Sequence, residues 1–301
     1  MEPNRILSVE VLTTRFDPLE AEVSVSVVPE GPGEQLSLRG RLHGPRSPYA
    51  DTVEIAYSLK PLPVEGDLLR ARMVIPEANF WTPKAPFLYE GPVELWRGEE
   101  CVDRQHVVHG LRHAALSRKG LHINGQALQL RGLTFAELTD ETIPRLRAAD
   151  INLLVTPVTP GCVDLWIRAE RAGFFMLGQL DGYDDELLWY SEEYLARRVS
   201  AFGWLLPQSL TRQPQHWHNA MLHLQGGRRD VLFGVKVEEL PLGVLPGHVS
   251  FVACEERFLP KLGELTLPRL LLGKRGDENE PERKPEILGK VYRDLLSRDL
   301  A

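Results

Sequence analysis

The stretch that decides the fold is NLLVTPVTPGCVDLWIRAERAGFFMLGQL, residues 152–180. An apolar run at 152–158 is typical of a fully buried strand, and a second such run follows at 174–180. Between them, the stretch VDLWIRAERAG (163–173) has a helical pattern. A strand, a helix and another strand in so short a stretch predict a parallel sheet with helices packed on it.

The same alternation repeats through residues 113–301. We expect a shortened or incomplete TIM-type (β/α)8 barrel, because this half is shorter than the roughly 200 to 400 residues usual for that fold and shows no eighth strand. Residues 286–300, EILGKVYRDLLSRDL, have the pattern of an amphipathic helix. Asp140 and Ser191 are predicted helix N-caps. The further predicted strands cover 127–135, 200–209, 230–239, 248–256 and 267–276.

The first 112 residues have a different hydrophobic pattern. Apolar and polar side chains alternate with period two in about seven short runs between residues 5 and 112. Turn-rich stretches such as PEGPG and HGPRSP separate these runs. We therefore predict two domains, an immunoglobulin-like β-sandwich at 1–112 and the barrel at 113–301.

Composition and charge exclude several classes of function. The formal net charge is −7 and no basic patch is evident, so we expect no nucleic-acid partner. No stretch reaches the length of a signal peptide core or a membrane span, so we expect no membrane association. The three cysteines are far apart and odd in number, which favours buried thiols in the cytoplasm over disulfides or a zinc site. We predict no metal and no cofactor.

Motifs near the junction of the two halves resemble those of family 2 glycoside hydrolases. FWTPKAPFLYEGPVEL (80–95) is similar to the Trp-Ser-Pro-x-x-Pro-x-Leu-Tyr signature of that family's immunoglobulin-like domain, and HGLR (109–112) to its Gly-Phe-Arg. LHINGQALQLRGLTFAE (121–137) looks like the start of the family's catalytic barrel, and residues 146–177 follow its second and third strands. The resemblance is best over 80–180 and implies a divergent, shortened relative of β-galactosidases, β-glucuronidases and β-mannosidases.

The resemblance implies a retaining scaffold in which barrel strands 4 and 7 each deliver a glutamate. One carboxyl protonates the leaving oxygen while the other attacks the anomeric carbon from about 5 Å away. Here Gln208 and Ser209 stand where the family has Asn-Glu, and Lys274 stands at the nucleophile. A hydroxyl does not shuttle a proton as a carboxyl does, and an ammonium repels the positive charge of the transition state. We therefore expect that hydrolysis has been lost.

Several other side chains near predicted strand ends are candidates for ligand binding. The His and Arg with which the family grips its sugar are replaced within TFAE (134–137) and TPVTPG (156–161), although Glu137 remains. The histidines of HWHNAMLH (216–223) are not predicted to bind metal, because those two residues apart do not face each other on a helix. The predicted ligand-binding residues are Glu137, Asp181, Trp204, Gln208 and Lys274.

The sequence leaves alternatives open. Our main prediction is a pseudoenzyme, a glycoside hydrolase-like protein that binds a carbohydrate or a protein partner at the strand-end cleft. The chain could instead be an active retaining β-glycosidase with relocated carboxylates, of which Glu239 and Glu255 are the leading candidates. If residues 230–241 formed the fourth strand, Glu239 would be the acid/base. A third prediction is a structural subunit of an assembly, and an oligomer is compatible with each of the three.

Overall fold

The computed structural model describes residues 5–17, 19–31, 35–64, 66–117, 119–134, 137–262, 265–274 and 286–293. The chain divides into two compact units, with the boundary between residues 112 and 113. Among the described residues, no helix combines the length and the apolar character needed to span a lipid bilayer.

The first unit is an antiparallel β-sandwich, as the period-two pattern predicts. In β2 (Glu20–Pro29) every second side chain is buried, and Ala21, Val23, Val25 and Val27 are fully buried. Branched side chains of this kind pack well on a pleated surface. One sheet has the order β1-β2-β6-β5 and the other β4-β3-β7-β8, and one core cluster draws on both. The other strands are β1 (Ile6–Phe16), β3 (Leu36–Arg46), β4 (Ile55–Ser58), β5 (Lys60–Pro61), β6 (Leu69–Pro76), β7 (Leu88–Arg97) and β8 (Glu100–His109).

The second unit contains a closed barrel of eight parallel strands, which confirms the TIM-type prediction. A small antiparallel sheet precedes it, formed by β9 (Ala114–Ser117), β10 (Gly120–Ile123) and β11 (Gln126–Ala127). The last barrel strand pairs with both the seventh and the first, so the prediction of an incomplete barrel is wrong. The barrel strands are β12 (Leu130–Thr134), β13 (Leu153–Pro157), β14 (Phe175–Gln179), β15 (Ala201–Pro207), β16 (Leu232–Lys236), β17 (Phe251–Glu255), β18 (Arg269–Lys274) and β19 (Ile287–Arg293).

The eighth strand, β19, forms where the sequence pattern predicted a helix, and the rest of that predicted helix lies outside the described residues. Lys290 in the middle of β19 has a side chain only 2% exposed, and its Nζ lies 2.9 Å from Glu256 Oε1. Gly273 on the neighbouring strand leaves room for it, because a Cβ there would lie 2.4 Å from Lys290 Cε. The charge of this lysine is therefore balanced by tertiary contacts that a sequence pattern does not reveal.

Helices follow each of the first four barrel strands. They are α1 (Thr142–Ala148), α2 (Val163–Ala172), α3 (Asp185–Tyr194) and α4 (Pro214–Gln225). The N-cap of α3 is Asp184, whose side chain accepts a hydrogen bond from Leu187 N, so the prediction of Ser191 as a cap is wrong. Ser191 lies inside α3 and donates to Leu187 O at 2.7 Å. The cap of α1 is Glu141 rather than the predicted Asp140.

Candidate ligand site at the barrel mouth

The carboxyl ends of the eight parallel strands meet at one face of the barrel, where barrel proteins place their ligand sites. We call this face, with the loops that follow the strands, the barrel mouth. Three of the strand-ending residues are cationic and one is acidic. In chain order they are Thr134, Pro157, Gln179, Pro207, Lys236, Glu255, Lys274 and Arg293.

The fourth and seventh strands are those on which the family resemblance places its two carboxylates. β15 is the fourth strand of the barrel and β18 the seventh. Ser209 is exposed in the 3₁₀ helix Gln208–Arg212 that follows β15, and Lys274 is the last residue of β18. The alternative in which residues 230–241 form the fourth strand is wrong, because β16 is the fifth.

Gln208 is a structural clamp in this fold. The residue is 2% exposed, and its Oε1 accepts hydrogen bonds from Glu238 N at 2.9 Å and Glu239 N at 3.0 Å. Its Nε2 donates to Glu239 O at 2.9 Å. The amide predicted to bind a ligand is thus engaged by the backbone that follows β16, and it fixes the end of that strand.

Trp204 does not reach the barrel mouth, which corrects its prediction as a ligand-binding residue. It is fully buried on the outer side of β15, where it stacks on Trp166 of α2 with ring centroids 5.5 Å apart. Its Nε1 donates to Leu224 O at 2.8 Å. Gly178 on the neighbouring strand leaves room for the ring, since a Cβ there would lie 2.6 Å from it. This tryptophan holds helices against the barrel.

Asp181 and Glu137 are exposed after their strands. Asp181 follows β14, and its Oδ1 accepts a hydrogen bond from Gln179 Nε2 at 3.0 Å. Glu137 follows β12. The structure thus brings Asp181 together with the strand-ending Gln179, and both are polar groups that a ligand at the mouth could contact.

Glu239 and Glu255, the candidates for relocated catalytic carboxylates, are each held in an ion pair. Glu239 Oε1 lies 2.8 Å from Arg212 Nη2, and Glu255 Oε2 lies 2.9 Å from Arg257 Nε. The Glu239 side chain is 66% exposed. Exposed pairs of this kind contribute little energy and are typical of solvated surfaces. Among the described residues, no three His, Cys, Asp or Glu side chains come together in a group that could hold a metal ion.

An aromatic and polar cluster lies where the segment after the third strand meets the first turn of α4. The Tyr183 hydroxyl donates to Asp185 Oδ1 at 2.6 Å, and its ring stacks on His216 with centroids 4.2 Å apart. The hydrogen bond to Asp185 raises the pKa of Tyr183 above its ordinary value of 10. Sequence reasoning missed this cluster, because the stacking depends on how the segment after β14 packs against α4.

Sequence reasoning also missed Lys236. Phe233 and Val235 of the same strand pack into the outer cluster with the helices, so alternation along the strand directs Lys236 toward the barrel axis. Lys236 is partly buried, and among the residues that the structure describes it has no hydrogen-bond or ion-pair partner. The sequence does contain a signal for this residue, because Lys236 is a cation directly after an apolar run. The same pattern drew attention to Lys274.

No family model and no curated protein matches the chain. Solved structures do match. A glycosyl hydrolase family 2 member from Bacteroides cellulosilyticus superposes with a TM-score of 0.73 at 15% identity, over 97% of this chain and 44% of that one. A β-glucuronidase from Bacteroides uniformis superposes with a TM-score of 0.68 at 13% identity, over 96% of this chain and 46% of that one. The chain thus spans slightly less than half the length of these structures. It has the sandwich-and-barrel fold of family 2 glycoside hydrolases, which confirms at the level of the fold the resemblance carried by its sequence motifs.

Proposed function

We propose that this chain is a glycoside hydrolase-like protein that does not hydrolyse glycosides and that binds saccharides at the barrel mouth. The observation that carries the proposal is the chemistry of the fourth and seventh strand ends. After the fourth strand, Gln208 is hydrogen-bonded to backbone and is followed by the hydroxyl of Ser209. The seventh strand ends at Lys274. Neither residue supplies the carboxyl group that a retaining glycosidase needs at both places.

The other acids near the mouth support this proposal. Hydrolysis with relocated groups needs two carboxyls about 5 Å apart, one of them holding a proton until the leaving group departs. Glu239 and Glu255 are instead each matched with an arginine within 3 Å, and neither is buried. We therefore favour binding without turnover.

A saccharide suits the remaining groups. Sugars are recognised by hydrogen bonds to their hydroxyls and by aromatic rings against their apolar faces. The ends of the third, fourth and fifth strands and the segments after them offer Tyr183 with Asp185, Gln179 with Asp181, and Arg212 with Glu239, all with polar atoms near solvent. These pairs place donors and acceptors on one sector of the mouth.

The proposal is tested by thermal unfolding of the protein with a panel of neutral and acidic methyl glycosides. A saccharide that binds the native state should raise the melting temperature with concentration, corresponding to about 2.7 kcal/mol at one hundred times its dissociation constant. The same samples should contain no released sugar by chromatography. Release of sugar would reject the loss of hydrolysis. A melting temperature unchanged by every saccharide would reject the binding role and favour a structural subunit.

A further inference from the structure

The outward side of α3 carries two exposed aromatic side chains in contact with each other. Leu188 and Ser191 of this helix are buried, whereas Trp189 is 57% and Tyr194 44% exposed. The two rings meet edge to face with their centroids 6.2 Å apart. Tryptophan and tyrosine are the residue types that most often anchor protein interfaces, so this pair marks a candidate docking surface.

Two carboxylates border Trp189. Glu186 lies three residues before it and Glu193 four residues after it, so the three side chains share one face of the helix. Both carboxylates are exposed, and among the residues that the structure describes neither has a hydrogen-bond or ion-pair partner. The surrounding stretch 181–193 contains six acidic residues and no Lys, Arg or His. We call Glu186, Trp189, Glu193 and Tyr194 the α3 face.

The charge of the α3 face decides which kind of partner fits it. A symmetric contact with a second copy of the chain would set these carboxylates against the same carboxylates, which is unfavourable. A nucleic acid or an anionic lipid surface would be repelled for the same reason. A cationic partner is complementary, and arginine suits it best, because a guanidinium stacks on an indole ring and also pairs with a carboxylate.

The first unit contains the same combination of groups within its own chain. Arg39 lies over the ring of Trp96, 4.4 Å from its centroid, and Trp96 Nε1 donates to Glu94 Oε2 at 3.0 Å. A tryptophan beside a glutamate thus holds an arginine there. In the described part of the chain, no Lys or Arg lies over the ring of Trp189, so its face is accessible to a cation from another molecule.

We infer that the α3 face binds a basic, arginine-bearing segment of another protein, with one guanidinium stacked on Trp189 and neighbouring cations paired with Glu186 and Glu193. This interaction goes beyond the proposed function and does not depend on it. The side chains concerned lie on the opposite side of α3 from the buried Leu188 and Ser191.

Fluorescein-labelled octa-arginine amide is a suitable probe, with binding followed by fluorescence anisotropy at low ionic strength. It should bind saturably, and Trp189→Ala should weaken binding about fivefold, the upper range for a cation–π contact at an exposed site. Replacing Glu186 and Glu193 together by glutamine should weaken it by a similar factor, about fivefold. The matched controls Tyr49→Ala and Glu30→Gln, at exposed positions of the first unit, should keep the wild-type affinity. Octa-lysine amide should bind less tightly than octa-arginine, since lysine lacks the planar group that stacks.

Several results would overturn the inference. One is the absence of saturable binding. Another is binding that neither Trp189→Ala nor the double glutamine variant weakens, because the attraction would then come from the net charge of −7. A wild-type dimer in sedimentation experiments that Trp189→Ala dissociates would instead assign the surface to a second copy. The double glutamine variant keeps the shape of the helix surface, so it provides the test even if Trp189→Ala lowers stability. Stabilisation by saccharides should be the same in wild type and Trp189→Ala, so failure of the proposed function is read separately.

Discussion

Replacing Glu170 with alanine should lower the free energy of unfolding by about 3 to 5 kcal/mol, the usual effect of removing one partner from a buried ion pair. Glu170 lies in α2 and is 3% exposed. Its carboxylate accepts hydrogen bonds from Val199 N at 2.9 Å and from Arg198 Nη1 at 3.3 Å. Without it, the backbone N–H of Val199 loses its carboxylate acceptor, and the partly buried guanidinium of Arg198 loses its counterion and keeps, among the described residues, only its hydrogen bond to Tyr194 O. Denaturant unfolding followed by circular dichroism measures the change.

A matched control is Glu193→Ala, which makes the same replacement at an exposed position in α3. Its effect should stay within about 0.5 kcal/mol, as for most surface substitutions. Equal unfolding midpoints for the two variants would contradict the role assigned to Glu170.

Glu170 also makes the stability of the native state depend on pH, and the sign of this dependence can be predicted. Burial raises the pKa of Glu170 above its ordinary value of 4.5, although Arg198 and the backbone N–H groups act against that rise. The native state therefore binds this proton more tightly than the unfolded state, so its contribution to stability is fully present below pH 4.5 and is lost as the pH rises through the folded pKa. Relative to Glu170→Gln, which does not titrate, the wild-type protein should lose stability from pH 4.5 toward neutrality. If the unfolding free energy of the wild type instead rose relative to that of Glu170→Gln as the pH increased, the pKa of Glu170 would be lowered by folding, which would contradict this prediction.

Replacing Gly289 with alanine should lower the free energy of unfolding by about 3 kcal/mol or more, because overpacking against atoms that do not yield is destabilising. A Cβ at this position would lie 1.8 Å from Leu130 O and 2.7 Å from Leu130 Cα. These are backbone atoms of β12, and the pairing of β12 with β19 closes the barrel. The strand would have to move away from its neighbour. The unfolding free energy and the near-ultraviolet circular dichroism report this movement.

Gly182→Ala provides the control for Gly289→Ala. Nothing lies within 4 Å of a Cβ at Gly182, so its stability should change by no more than about 0.5 kcal/mol. A Gly289→Ala variant as stable as Gly182→Ala would mean that the barrel is not closed through β12 and β19 in this way.

Most of the fold follows from local patterns. Continuous apolar runs predicted the strands from β12 to β18, and period-two alternation predicted the sandwich. The exception is β19, where Gly289 and Lys290 interrupt the apolar run and hide the strand signal. Burial of Lys290 becomes acceptable only through Glu256 and the space beside Gly273, contacts between segments distant in the chain.

The site was less predictable. Strand-end placement predicted Asp181, Gln208 and Lys274 as site residues, because parallel strands converge at one face, and each of the three does lie at or just after the end of its strand. It did not reveal that Gln208 bonds to the loop after β16, or that Trp204 faces the helices, since one residue of register decides which side of a strand a side chain occupies. The sequence also does not show whether Lys236 has a counterion, because that depends on the side chains that all the neighbouring strands place around it.

The most direct test of lost hydrolysis uses an activated fluoroglycoside, a 2-deoxy-2-fluoro sugar with a dinitrophenolate leaving group that departs without a proton. Such a substrate bypasses the acid and asks only whether a nucleophile attacks the anomeric carbon, which in a retaining enzyme forms a glycosyl-enzyme. Intact-protein mass spectrometry after prolonged incubation with glucosyl, galactosyl and glucuronyl forms should find the protein unmodified. The addition of one glycosyl group to a carboxylate at the barrel mouth would contradict the account.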